Sequence, residues 1–549
     1  MAELNAGFAR RIEMRARDAR AEAFRQKRHG IWCRRTWGEV WRHAQAFAST
    51  LAESGIGAGE SLALVSGSRV EAIEAIYGCQ LAAVRPVLLS PNLAPGALAT
   101  AVEEADCAAI VAEDQEQVDK VADVQSRLAG LRRVWVIDPK GVRGYRHIEV
   151  HAFADATRAV DAVRETVPAA PVDAVALYTA GVRAEPRLVS VAQATVLKLD
   201  GARDALGLAA GERVVSLFGL ADPLGHFFSV AAPVLFGVVP CFGEDRLPTP
   251  AEMRQCAPTI VGAPVRVLDR MRRETAVRAN RTGGVRRSLL GRWRAVDRPG
   301  WLLDAVVGRP IARSLGLGEC RTIACGYERL GATTADFFGR LGVRTVGLYG
   351  LAEAAGPVGI FEQAREPVLT LFPGYSAEVH DTRRLGVRID GLAVDTGDVV
   401  QTDGAHLSVV GRSAELLTLS DGSRIAPGWV ESELMASPYV SQAVAVGGPA
   451  GGVTALIELD EAALRDWARV QGLAFTTLRS FSESSEVQWI VSQAVQAANR
   501  RLEPSARVVR TVLLPRTLDA GNGELTPALA LRRAMVRNRY AHRLIGAAA

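Results

Sequence analysis

Lysine is nearly absent. The 549 residues carry 65 lysines and arginines together, and only Lys27, Lys120, Lys140 and Lys198 are lysine. None follows Lys198, so no chemistry that needs a lysine amine can be placed in the C-terminal two-thirds of the chain. Arginine supplies the remaining 61 cations. A coding bias towards arginine accounts for most of that excess, but its planar, permanently protonated fork does not replace a compact ammonium on a flexible stem everywhere. Cysteine is also scarce. The seven thiols at 33, 79, 107, 241, 256, 320 and 325 are odd in number and contain no C-x-x-C pair. This excludes a disulfide framework or zinc knuckle and points to a reducing, cytoplasmic setting. The N-terminus lacks the apolar core of a secretory signal, being charged from Arg10 onward. A net charge of +5 with 60 acids interspersed gives no reason to expect a nucleic-acid partner. Long apolar runs are few. Pro223–Gly243 is uncharged and long enough to span a bilayer, but three prolines, His226 and several glycines break it. A buried helix–turn–strand is expected there, and no transmembrane span.

Hydrophobic residues make up 48% of the chain, enough for substantial cores in more than one domain. Strands are expected at Ser61–Val65, Val84–Leu89 and Ala108–Ala112, with helices over Arg69–Ala82 and Pro95–Ala105 between them. The same rhythm returns near Val214–Phe218, Thr259–Val261 and Thr345–Tyr349. Strands alternating with helices of this length predict an α/β domain on mixed or parallel sheets flanked by helices. From about Arg412 the pattern becomes that of a small α+β unit. It has strands near Ala443–Val446 and Thr454–Leu459 and helices over Ala462–Gln471 and Ser485–Leu502. The expected division is 1–411 and 412–549. Between Val277 and Arg298 lie seven arginines and one acid, Asp297. This segment reads as a basic surface insertion, with a solvated face as the plain reading and contact with anionic lipid or a protein partner as the functional one.

Four clusters then appear in order. Thr179-Ala180-Gly181-Val182-Arg183-Ala184-Glu185-Pro186-Arg187 follows the strand-like Ala174–Tyr178. Leu348-Tyr349-Gly350-Leu351-Ala352-Glu353 ends another strand. Asp395-Thr396-Gly397-Asp398 comes third, and Gly411-Arg412-Ser413-Ala414-Glu415 fourth. Each alone is a turn, a loop or a packed aromatic. Their order, with Pro258–Pro264 and the tail Gly523-Glu524-Leu525-Thr526-Pro527, resembles the adenylate-forming superfamily, and most closely its long-chain fatty acyl-CoA ligases. The resemblance implies the adenylate-forming enzyme fold, a large domain with a small mobile one on a hinge. It also implies a two-step reaction. A carboxylate attacks the α-phosphate of ATP, releasing pyrophosphate, and CoA thiol then displaces AMP from the acyl-adenylate. Asp398 would hold the ribose hydroxyls, Tyr349 and Gly350 would lie against adenine, and Glu353 would bind Mg²⁺. Arg412 would lie near the ribose and phosphates, and Glu415 at the hinge. Thr179, Gly181, Arg183 and Arg187 would belong to the phosphate loop. A carboxylate accepting two hydroxyls and a hard oxygen donor for Mg²⁺ are chemically sound choices.

The departures from that pattern all fall on phosphate chemistry. The family's loop is close to Y-T-S-G-T-T-G-x-P-K-G, whose hydroxyls and backbone amides wrap pyrophosphate. Here the Ser position is Ala180, the Thr positions are Val182 and Arg183, the second Gly is Ala184, and Lys-Gly is Arg187-Leu188. The Thr of the Y-G-x-T-E cluster is Ala352, and the family's L-A-H reads Leu220-Ala221-Asp222. The tail lysine that stabilises the adenylation transition state is Ala530. Three readings stay open: a non-catalytic relative binding an acyl chain, nucleotide or protein partner; an active ATP-dependent long-chain ligase using Arg183 and Arg187; and a protein that keeps only the thioester half. His226, in its apolar run, is expected to be a packed core histidine.

Overall fold

A computed structural model describes residues 7–545, apart from 146, 159–172, 180–186, 246, 281–283, 296–299, 327–329, 362–367, 381–382, 404–405, 420–421, 423, 448–451, 474–476, 520–521 and 527–530. Gly181, Arg183 and Ala530, together with Ala180, Val182 and Ala184, therefore lie outside the described residues.

Short apolar runs such as Ser61–Val65 and Cys107–Ala112 are buried along their whole length, as interior parallel strands must be when helices cover both faces. They belong to a seven-stranded sheet ordered Val150–Ala152, Arg133–Val136, Cys107–Ala112, Ser61–Val65, Arg85–Leu89, Asp173–Tyr178 and Leu188–Ala192. Only its last pair is antiparallel. A nine-stranded sheet runs Leu369–Leu371, Gly356–Phe361, Arg344–Leu351, Thr322–Gly326, Ile260–Pro264, Arg213–Ser216, Val239–Phe242, Glu22–Arg28 and Ile31–Thr36. Its centre is parallel and its two ends are antiparallel. The helix Val70–Ala82 is buried almost all round, because the helix Trp37–Glu53 covers one side of it. The latter starts at a capping box in which Thr36 and Glu39 satisfy each other's backbone amides.

The uncharged run folds as helix Pro223–His226, a π-turn Phe227–Ala231, helix Ala232–Phe236 and strand Val239–Phe242, all buried. Among the described residues no helix is long and apolar enough to cross a membrane. The arginine-rich segment differs from a plain surface insertion. It forms the end of helix Val265–Asn280 and the helix Gly284–Ala295, and Leu290 and Trp293 pack with Val307 in a small core of their own. Counting charges hid those two apolar anchors.

A four-stranded antiparallel sheet, Ser376–Val379, Arg384–Ile389, Leu392–Thr402 and Leu407–Arg412, completes the large N-terminal domain. The smaller C-terminal domain has a three-stranded sheet, Val440–Gly447, Val453–Leu459 and Val508–Leu513, with a separate hydrophobic core. The two domains meet at Arg272. Its Nε donates to Thr334 Oγ1 (3.0 Å), and its Nη2 donates to the carbonyls of Met435 and Ala436 (2.9 Å each).

Candidate nucleotide site

Three of the sequence-selected residues come together because of sheet register. Leu392–Thr402 and Leu407–Arg412 are antiparallel with Asp398 directly opposite Arg412. Arg412 Nε lies 3.8 Å from Asp398 Oδ1. From the end of strand Arg344–Leu351, the Tyr349 hydroxyl donates to Asp398 Oδ2 at 2.5 Å. Asp398 and Tyr349 are both buried at 6% exposure, whereas the Arg412 side chain is 44% exposed. Burial, followed by the Asp398 charge, pushes the Tyr349 phenol far above its ordinary pKa, so it stays a donor. The T-G-D cluster is itself a built turn. Thr396 Oγ1 donates to Leu385 O (2.7 Å) and accepts from Asp398 N, while Gly397 N donates to Asp395 Oδ1. Gly397 has φ +73°, which only glycine adopts without strain. The result is a buried carboxylate that accepts from the Tyr349 phenol and is faced by the exposed Arg412 guanidinium. A carboxylate has acceptor capacity on both oxygens, the chemistry that binding vicinal hydroxyls calls for.

The phosphate side is barer. Thr179 and Arg187 close the neck of the loop: Thr179 N donates to Arg187 O, and Arg187 N donates to Thr179 Oγ1, both at 3.0 Å. The Thr179 hydroxyl thus accepts from the chain's own backbone. The Arg187 side chain is exposed. Glu353 is half-buried on a 3₁₀ turn, Ala352–Ala354, that follows Gly350 and Leu351. Beside it Ala355 takes a left-handed conformation (φ +49°), and its carbonyl lies 2.9 Å from His226 Nδ1. A carbonyl only accepts, so Nδ1 carries the proton. Burial lowers the His226 pKa to about 4, making this the packed neutral histidine the sequence suggested. Asp222, standing where the family places an imidazole, caps the helix that carries His226, with Oδ1 accepting from Leu224 N (2.8 Å) and Gly225 N (3.3 Å).

Three of the four lysines are engaged with groups outside these clusters. Lys198 pairs with Asp390, Lys120 binds Pro91 O and Glu116, and Lys27 lies 3.9 Å from Glu252. Among the described residues no group of three or more His, Cys, Asp or Glu side chains could hold a metal. Glu353 fits Mg²⁺ only as one carboxylate beside an ion whose other ligands come from nucleotide phosphates and water, which is how this ion is usually held.

At the domain junction Gly411 has φ +151° and precedes Arg412, while Ser413 N donates back to Gly397 O (2.9 Å). Glu415 is bound by Arg533 Nη1 at 3.0 Å. The same guanidinium donates from Nε and Nη2 to the two oxygens of buried Glu431 at 3.0 and 2.6 Å, and Glu431 Oε1 also accepts from Ala445 N (3.0 Å). Neither Arg533 nor Glu431 was given a role from sequence, although the Arg532-Arg533 pair follows the tail motif closely. In the same tail Glu524 is fully buried. Burial would raise its pKa, but the Arg516 fork (2.7 and 2.9 Å) and Asp519 N hold its carboxyl below the usual range.

Comparison with known proteins gives the family and the fold. The chain is 27% identical to the long-chain-fatty-acid–CoA ligase FadD15 of Mycobacterium tuberculosis, over 93% of this chain and 92% of the relative. It is 23% identical to long chain acyl-CoA synthetase 8 of Arabidopsis thaliana, covering 92% and 81%. Among solved structures, the adenylation domain of a carboxylate reductase from Mycobacterium chelonae superposes with a TM-score of 0.79 at 17% identity, covering 99% and 91%. The corresponding domain from Segniliparus rugosus, solved with AMP and a co-purified carboxylic acid, gives 0.77 at 17%, covering 99% and 95%. At such identity these two establish the fold. Residues 10–393 match the AMP-binding enzyme family and residues 414–547 its C-terminal domain, and the chain is therefore a member of the AMP-binding enzyme family, of the acyl-CoA ligase type.

Proposed function

We propose that this long-chain acyl-CoA synthetase-like protein holds AMP or an acyl-adenylate but makes the adenylate from ATP poorly, acting as a binding or regulatory relative of the true ligases. The observation that carries this reading is the cation inventory. Position 530 is alanine, no lysine follows Lys198, and Lys198 is held by Asp390. Asp398 takes the ribose hydroxyls, with Tyr349 and Gly350 lining the base side and Arg412 reaching towards the α-phosphate. Around the β- and γ-phosphates, Ala180, Val182, Arg183 and Ala352 offer no hydroxyl or amine equivalent to the lost groups. Loss of one preorganised donor costs roughly 3–4 kcal/mol of transition-state stabilisation, and several losses in one site are not additive. Even one or two such losses bring turnover down by orders of magnitude. A bound Mg²⁺ would supply charge neutralisation on the polyphosphate, with Glu353 as its protein ligand.

Fatty-acid-dependent exchange of labelled pyrophosphate into ATP tests the proposal. Exchange at background is expected, and a robust signal would establish instead an active ligase that relies on Arg183 and Arg187. The braced hinge supports a second reading. With 1–411 and 412–549 turning about Glu415, a supplied acyl-adenylate could pass its acyl group to CoA thiol, with AMP leaving. Thioester formed from synthetic acyl-adenylate plus CoA, without pyrophosphate exchange, would select that reading. A fatty acyl or other small carboxylate ligand is common to all these outcomes, and a protein partner belongs to the regulatory one.

A further inference from the structure

The helical run Trp301–Leu303, Asp304–Gly308 and Arg309–Ser314 buries Val307 and Ala312 against the rest of the domain. Its other side is open. Trp301, Leu302 and Val306 are 75%, 61% and 60% exposed, and Ala305, Arg309 and Arg313 are exposed as well. The positions 301, 302, 305, 306, 309 and 313 recur at the spacing of one helix face. That face begins with an aromatic, continues with aliphatic residues and ends in cations, and none of its six positions is acidic. Asp304 lies to the side, 3.5 Å from Arg309 Nε.

The surroundings extend the charge. Exposed Arg278 and Arg292 come from the two preceding helices, the second of which packs on this run through Leu290, Trp293 and Val307. From residue 277 to 313 there are nine arginines against Asp297 and Asp304, a net +7. The whole chain is only +5, so the rest of it is slightly acidic. This stretch of sequence therefore carries the protein's entire positive excess, and its described, exposed arginines 278, 292, 309 and 313 accompany three of the most exposed large apolar side chains among the described residues.

We infer that this face docks on an anionic bilayer surface. Trp301, Leu302 and Val306 would enter the headgroup–acyl boundary while the arginines engage phosphate. A tryptophan flanked by aliphatics suits that boundary, where one end of the side chain is apolar and the other wet. The cations suit a negatively charged leaflet, whose attraction falls off within a Debye length. A nucleic-acid surface would use the arginines but leave the apolar triad unexplained. This inference does not rest on the reading of the nucleotide site.

The test is co-sedimentation of the purified full chain with vesicles of phosphatidylcholine alone or mixed with phosphatidylglycerol. Binding is expected to the mixed vesicles only, and to be lost at high salt. Two variants separate the contributions: W301S/L302S/V306S and R309E/R313E. Each is expected to weaken binding about tenfold or more, from lost apolar insertion and lost charge attraction respectively. All the substituted side chains lie at the surface, and circular dichroism and melting checks that each variant is folded. Should one variant misfold, the other decides. The inference is overturned if wild type ignores the mixed vesicles, or if folded variants sediment as wild type does. It is equally overturned if wild type is a dimer without lipid and W301S/L302S/V306S a monomer, which would make a second copy the occupant.

Discussion

In the cluster proposed to hold the nucleoside, Asp398, Tyr349 and Arg412 face one another at 2.5 and 3.8 Å, with a glycine turn holding the carboxylate in place. On the phosphate side, the neck residues Thr179 and Arg187 spend their described hydrogen bonds on each other, and the turn bearing Glu353 has alanine on both sides of it. The same fold positions both. The proposed difference is one of chemistry: where the family's pattern has hydroxyls and an ammonium, this sequence has methyl groups and guanidinium. A nucleoside monophosphate needs only the first half, and displacement of pyrophosphate needs both.

The largest effect is expected from rebuilding the poor half. In A180S/V182T/A352T/A530K, fatty-acid-dependent pyrophosphate exchange should rise from background by about 10³ or more, taking each restored donor at 10²–10³ and allowing for non-additivity. No rise would mean that the two halves differ by more than these four groups.

Next comes the brace that Arg533 forms with Glu415 and Glu431. R533M strands Glu431, whose side chain is 3% exposed. It should destabilise the small domain by about 3–5 kcal/mol in urea unfolding, the usual consequence of unpairing a buried charge. Destabilisation no larger than that of an exposed pair would show that the brace is ornamental.

His226 anchors the Ala355 carbonyl beside the phosphate-side turn. Its folded pKa is about 4 against an ordinary 6.5, so the unfolded chain takes up the proton first as pH falls. Stability should be full above pH 6.5 and decline from there to pH 4, by on the order of 3 kcal/mol. In H226N, which keeps a donor for the carbonyl, this part of the acid sensitivity should be absent when melts are compared across that range.

Smaller still are the effects on AMP binding. D398A removes a charged acceptor worth about 1.5–3 kcal/mol per hydrogen bond, so AMP should bind roughly 10²-fold more weakly by calorimetry. R187A, on the other half, should change AMP affinity by less than about twofold, as expected of an exposed cation distant from its ligand. Comparable losses in both variants would erase the distinction between the halves.

Much of this was legible in the sequence. Leu62–Val65 and Ala108–Ala112 announced themselves as unbroken apolar runs, and Asp398, Tyr349 and Arg412 through short motifs whose order along the chain is specific. What could not be read was the register that sets Asp398 opposite Arg412, because an irregularity between Val399 and Val400 shifts the pairing of this hairpin. The partners of Arg533 lie 118 and 102 residues away, and only the fold brings them together. Arg272 illustrates the opposite failure. It lies just before the basic segment and carries no motif, yet it is buried between the domains because two backbone carbonyls and Thr334 satisfy it. The basic segment misled because its arginines dominate the composition, while Leu290 and Trp293 decide its packing.

The most direct measurement compares AMP and Mg-ATP on one wild-type preparation by calorimetry. An intact phosphate cradle would add favourable contacts to the two extra phosphates, whereas a stripped one offers them little beyond Glu353 and exposed arginines. The prediction is saturable AMP binding, with ATP no tighter than AMP and both abolished together by D398A. ATP binding tenfold or more tighter than AMP would contradict the account.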